Sequence, residues 1–219
     1  RIRGKILIEK VFRSSLSETV FNNKYKHDGC NTWDELAKTL AHQVTSKYVD
    51  KETTESIYEI IRDMKFIPGG RYLYYAGRPV KFFNNCYLLR AEEDTREDWA
   101  NLSWKAESCL LTGGGIGVDY SIYRDSTKII SRTGGKASGP IPKMLMVNEI
   151  GRRIMQGGSR RSAIYASLNW KHGDIQDFLK VKDWHSQQIP GTDKSLWDVK
   201  NIDFNFPAPL DMTNISVNY

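Results

Sequence analysis

Few side chains in this sequence are equipped for covalent or metal chemistry: it holds three cysteines and four histidines. His27, His42, His172 and His185 are scattered, with no His-Glu-x-x-His spacing, so no metal site is expected. The cysteines are odd in number and form no Cys-x-x-Cys pair, which argues against a zinc ribbon or a disulfide-stapled secreted scaffold. Cys86 stands apart, because Asn84-Asn85 precede it and an apolar strand follows, setting a thiol beside two amides at a strand's edge. Such a thiol is either a small structural hydrophobe or a redox group, and the redox role needs a second cysteine that spacing does not supply. Cys109 adjoins the apolar face of a helix and reads as buried, while Cys30 sits in the polar turn His27-Asp28-Gly29-Cys30-Asn31 with no partner in view.

Three other groups suit anionic or nucleotide ligands. The order at Gly113-Gly114-Gly115-Ile116-Gly117 is helix, glycines, strand, the reverse of a dinucleotide-binding turn, and no Lys-Ser/Thr follows as in a phosphate-binding loop. The cluster is therefore a tight connection needing positive φ, or bare backbone amides open to a nucleotide. Arg152-Arg153 and Arg160-Arg161 clamp phosphates, or else simply solvate a helix end where cations are favoured. Glu92-Glu93-Asp94 is a solvated loop or a partner for ribose hydroxyls.

The elements that must position these residues follow from periodicity and capping signals. Thr32 with Glu35 forms a capping box ahead of Leu36, Leu40 and Val44 on one helical stripe, and Ile57, Ile60, Ile61 and Met64 repeat that pattern over 51–64, which Pro68-Gly69-Gly70 ends. Tyr72 to Tyr75 and Phe82 to Leu89 read as extended. A helix over 96–111, capped by Thr95 and Asp98, precedes the glycines and an extended stretch from Val118 to Tyr123. Pro140 and Pro142 open a helix running to Met155; a strand at Ala163 to Leu168, a short helix at Asp174 to Val181 and a terminal strand complete the chain. Helices alternating with single strands predict an α/β architecture, helices packed on a mainly parallel sheet or barrel.

The 219 residues can bury a real core, and 40% hydrophobic with 26% charged residues is an ordinary globular composition. A net charge of +6 suits anionic partners without demanding them. No apolar run approaches a membrane span and no signal peptide leads the chain, so a reducing cytoplasmic setting and no membrane partner are expected. The start at Arg1 and the end inside a strand-like stretch point to a fragment.

Taken in order, Phe66-Ile67-Pro68-Gly69-Gly70-Arg71, Asn84-Asn85-Cys86, Gly113-Gly114-Gly115-Ile116-Gly117, Ser138-Gly139-Pro140-Ile141-Pro142, Gln156-Gly157-Gly158-Ser159-Arg160-Arg161-Ser162-Ala163 and Asp211-Met212-Thr213-Asn214-Ile215-Ser216-Val217-Asn218 resemble the large catalytic subunit of ribonucleotide reductase. The wording is most similar to its adenosylcobalamin-dependent class II branch, although the di-iron branch shares the plan. The resemblance implies a helical region over 1–65 followed, over 66–219, by the first half of a ten-stranded α/β barrel. It implies ribonucleotide reduction by thiyl-radical chemistry, with Cys86 as one of the reducing cysteine pair, fed by a thioredoxin-type reductant. It implies substrate contacts at Gly69, Asn85, Gly114, Gly115, Gln156 and Arg160. Contacts to a dNTP or ATP effector would fall on Glu93 or Asp94 and on Arg124, Arg132, Ser159 and Arg161.

The departures shape the expectation. The family's Asn-x-Cys-x-Glu radical motif, the partner of Cys86 and the cobalamin-contacting portion do not occur here. The fragment is therefore expected to be inactive without a C-terminal remainder, supplied by a split gene or by splicing of an intein-interrupted chain. No insertion fits between Gly117 and Pro142 to imitate a second subunit, which favours a homodimer completing the effector site. The rivals are a non-catalytic nucleotide-binding regulatory module, using Arg160 and Arg161 for phosphate, and a basic nucleic-acid-binding domain with steep salt dependence.

Overall fold

The computed structural model describes residues 11–45, 49–154 and 162–219, and the chain divides into two compact units between Phe83 and Asn84. The first unit is helical: α1 (Ser15–Val20) running into a π-helical turn at Phe21–Tyr25, then α2 (Trp33–Thr45), α3 (Lys51–Arg62) and α4 (Gly70–Tyr75). The capping box at the start of α2 is formed, Thr32 N donating to Glu35 Oε2 at 3.1 Å and Glu35 N to Thr32 Oγ1 at 3.2 Å. Trp33, Leu36, Ala37 and Leu40 of α2 pack with Phe21, Ile61, Leu73 and Ala76. Val44 and Ile60, expected on the apolar stripes, are exposed. Cys30 is not a surface thiol either: it is buried and donates to Thr39 Oγ1 at 3.4 Å.

One element differs in kind from its sequence signal. Tyr72 to Tyr75 are helical rather than extended, because Gly69 O accepts from Tyr72 N and Leu73 N and the turn drives Leu73 into the core. Their aromatic β-propensity yields to that packing. Phe82 and Phe83 precede the first strand instead of belonging to it, their rings set against Tyr75 and Tyr72.

The second unit alternates strand and helix: β1 (Cys86–Arg90), α5 (Arg96–Leu111), β2 (Gly115–Asp119), α6 (Ile141–Arg153), β3 (Ile164–Asn169), α7 (Ile175–Lys180), α8 (Leu196–Ile202) and β4 (Thr213–Asn218). The strands form one sheet in the order β1-β2-β3-β4, every pair parallel. Helices therefore cover one face, and the core lies there: Ile116, Val118, Ile164, Ala166 and Leu168 of the sheet pack with Leu102, Ala106 and Leu110 of α5 and Met144 and Val147 of α6. The extended stretch after the glycines stops at Asp119, short of Tyr123, where the chain turns and buries Tyr120 and Tyr123. Helix α8 was not anticipated, although Ser195 and Asp198 make a reciprocal capping box at its start.

Capping and charge fix the two helices that flank the glycines. Thr95 Oγ1 accepts from Asp98 N at 3.2 Å, and Glu97 and Asp98 complement the positive end of α5. At the other end Gly113 takes φ +81°, the left-handed turn that the helix-to-strand connection requires. Helix α6 is fastened to α5 by Lys143, whose buried ammonium donates to Trp99 O and Ser103 Oγ; burial pushes this amine below its ordinary pKa.

Candidate functional site

Because successive strand residues face opposite ways, the residues paired with Cys86 mark the sheet face that the helices leave open. The register sets Cys86 beside Gly115, Leu88 beside Gly117, Gly117 beside Tyr165 and Tyr165 beside Asn214. These six residues, with the neighbouring Ala163, line a groove of about 480 Å³ near the amino-terminal ends of the strands. Its floor is bare where β2 crosses it: a Cβ on Gly115 would stand 3.8 Å from Cys86 Sγ and 3.2 Å from Ala163 O. Leu88 is 83% exposed, so the groove opens to solvent. Cys86 itself is exposed, with no disulfide.

The glycine run divides between the two faces. Gly114 is buried, and a Cβ there would enter the ring of Tyr87, so it serves helix-side packing, whereas Gly115 and Gly117 belong to the open face. Both readings of the cluster thus have a physical counterpart, the turn at Gly113 and exposed backbone at Gly115. Asn85 adjoins the groove through its carbonyl, which accepts from Gly115 N at 2.8 Å. Gly69 lies in the helical unit as the N-cap of α4.

Farther along the same face, beyond the groove, Asp119 gathers hydroxyls: its Oδ1 accepts from Ser121 Oγ at 2.6 Å and from Ser167 Oγ at 3.4 Å. Past the carboxyl ends of the strands, two of the expected effector residues meet. Arg124 Nε donates to Asp94 Oδ2 at 2.5 Å and its Nη2 to Asp94 O at 3.0 Å, clamping the loop after β1 to the loop after β2. Glu93 is exposed, its backbone N–H held by Asp98 at 3.1 Å, and Arg132 occupies an exposed turn. Gln156, Ser159, Arg160 and Arg161 lie outside the described residues. Arg152, one of the arginines weighed for phosphate, is committed to Asp211 and Glu149.

Gly117, part of the glycine run read as open to a nucleotide, lines the groove, and so do Leu88, Tyr165 and Asn214, which the sequence alone does not mark as site residues. The signal was available in period two: residues an even number from Cys86 in β1, and their partners by register, share its face. Among the described residues no three His, Cys, Asp or Glu side chains gather as a metal site, and no helix is long and apolar enough to cross a membrane.

Residues 84–202 match the family described as "Ribonucleotide reductase, barrel domain". The vitamin B12-dependent ribonucleoside-diphosphate reductase of Mycobacterium tuberculosis (strain CDC 1551 / Oshkosh) is 29% identical over 136 residues, covering 62% of this chain and 20% of that protein. The ribonucleoside-diphosphate reductase large chain of Cryptosporidium parvum is 30% identical over 140 residues, covering 64% of this chain and 17% of its own length. The chain thus spans about a fifth of the curated relatives it matches. Among solved structures, the Actinobacillus ureae class Id ribonucleotide reductase alpha subunit superposes with a TM-score of 0.71 at 14% identity, over 93% of this chain and 33% of the other. The fold is therefore part of an α/β barrel.

Proposed function

The chain belongs to the ribonucleotide reductase family through its barrel domain, and on that premise we propose that it forms one side of the substrate site of a ribonucleoside-diphosphate reductase and carries one of its two reducing thiols, Cys86. The observation that carries this reading is the exposed thiol beside Gly115 in an open, glycine-floored groove. The diphosphate is taken from the names of the relatives.

In the proposed reaction the ribose 2′-hydroxyl leaves as water, and Cys86 with a second cysteine from the remainder of the enzyme gives up two protons and two electrons to become a disulfide. A hydrogen abstracted from the 3′ carbon by a thiyl radical, also outside this chain, returns at the end, so the balance is one ribonucleotide and two thiols to one deoxyribonucleotide, one disulfide and one water. A bare β2 lets the sugar approach within reach of the sulfur, since any side chain at Gly115 would fill the space next to Cys86. Asn85 and Gly115 contact the substrate from the barrel unit, with Gln156 and Arg160; Gly114 acts only by keeping Tyr87 seated. The pair Asp94–Arg124, with Glu93, Arg132, Ser159 and Arg161, belongs to the nucleotide effector site, completed in a homodimer.

Adenosylcobalamin would be the radical source if the enzyme follows its B12-dependent relatives. None of the described residues is assigned to it: His172 is hydrogen-bonded to Tyr123 O and the ring of His185 lies tilted against Trp197. The barrel part is the unit that begins at Asn84, activity needs the remainder of the barrel, and the setting is cytoplasmic.

Iodoacetamide mapping of the assembled enzyme tests the reading. Cys86 is expected to alkylate faster than buried Cys30 and than Cys109, whose thiol burial pushes above its ordinary pKa. Cytidine 5′-diphosphate is expected to slow alkylation of Cys86 at least about tenfold at saturation. Equal rates with and without nucleotide would remove the groove as the substrate site.

A further inference from the structure

The side chain of Asp211 is only 1% exposed, yet it draws in three neighbours from two helices. Arg152 of α6 meets both its oxygens, Nη1 to Oδ2 and Nη2 to Oδ1 at 2.7 Å each; Lys200 of α8 reaches Oδ2 at 2.9 Å, and Asn148 of α6 donates to Oδ1 at 3.1 Å. Lys200 spends its other donors on Phe204 O and Phe206 O, at 2.7 Å each. The loop before β4 is thus fastened to both helices. Leu210, next to Asp211, is fully buried at φ +52°, a conformation that a branched side chain adopts only when its surroundings impose it.

The far end of Asn148 connects this cluster to the sheet. Its Oδ1 accepts from Met212 N at 2.9 Å and from Thr213 Oγ1 at 2.8 Å, and Lys182 holds Thr213 O at 2.6 Å. Thr213 is the first residue of β4, and the next residue, Asn214, points the opposite way, into the groove of Cys86. We infer that Asn148 and Thr213 are positioning residues: backed by Asp211, they fix the entry of β4 so that Asn214 stands at a set place on the groove wall opposite Cys86. This inference rests on the groove being the nucleotide site. Neither residue touches the groove; they act through the backbone of 212–214.

Removing Asp211 risks unfolding, so the informative changes are smaller. Thr213→Val keeps shape and burial and deletes only the hydroxyl bonded to Asn148, whereas Thr213→Ser retains it. In the assembled enzyme the readout is the concentration of cytidine 5′-diphosphate that halves the alkylation rate of Cys86. Thr213→Val is expected to raise it about five- to tenfold, the effect of one buried hydrogen bond, and Thr213→Ser to return it to within about twofold of the parent value. A valine variant with the parent midpoint overturns the positioning role, as does a serine variant as weak as valine. Absence of protection in the parent enzyme instead overturns the groove's function, and the inference with it.

Discussion

Cys86→Ser in the assembled reductase is expected to lower turnover supported by a thioredoxin-type reductant by about a thousandfold or more, because a hydroxyl cannot enter the disulfide that supplies two electrons. Nucleotide affinity, measured by equilibrium dialysis with cytidine 5′-diphosphate, should change less than about threefold, since serine preserves size and hydrogen bonding. Stability should move by less than about 0.5 kcal/mol, as expected for an exposed side chain, so loss of activity could not be blamed on unfolding. A non-catalytic nucleotide-binding module predicts otherwise: it has no turnover to lose. Unchanged turnover in the serine variant removes the redox role of Cys86.

The second large effect concerns stability. Asp211→Asn keeps the size of the side chain but leaves Arg152 and Lys200 facing a neutral group. Breaking a buried, hydrogen-bonded charge cluster from one side costs about 3–5 kcal/mol, far more than a surface ion pair such as Lys65–Asp63 contributes. Urea unfolding at pH 7 measures it, and a cost below about 1 kcal/mol would show that the cluster is not a structural keystone. The pH dependence has a definite sign. Burial pushes the Asp211 carboxyl up, but hydrogen bonds from Lys200, Arg152 and Asn148 outweigh it and hold the group below the usual carboxylate range. A carboxyl depressed in the folded state contributes its stability above the unfolded value of about 3.9, and that contribution is lost as pH falls through the folded value. The parent chain should therefore lose stability below about pH 4 more steeply than Asp211→Asn does.

How far these features were legible in the sequence depends on the range of the interaction that creates them. Local signals carried well: the Thr32–Glu35 and Thr95–Asp98 caps set the starts of α2 and α5, and the helix over 96–111 is Arg96–Leu111. The parallel sheet followed from alternation of strand and helix alone. Helix α4 runs against its sequence signal because aromatic residues favour strands in isolation, while burial of Leu73 decides the matter in the fold. Within the site, Asn85-Cys86 and Gly115 are recognisable in two separate strings, but Tyr165 and Asn214 join them only through register between β2, β3 and β4. The usual rule that α/β sheets take ligands beyond the carboxyl ends of their strands would have looked elsewhere, since this groove lies toward the amino ends on the open face. Nor could spacing show that Arg152 is spoken for: Asp211 is distant in sequence and reaches it only because β4 closes beside α6.

The most direct measurement is the oxidation state of Cys86 after one turnover without external reductant. Assembled enzyme, reduced and freed of thiol, is given ribonucleoside diphosphate, quenched in acid with an alkylating agent, digested and read by mass spectrometry. The expected result is one disulfide containing Cys86 for each deoxyribonucleotide formed. Deoxyribonucleotide appearing while Cys86 remains a free, alkylatable thiol would contradict it.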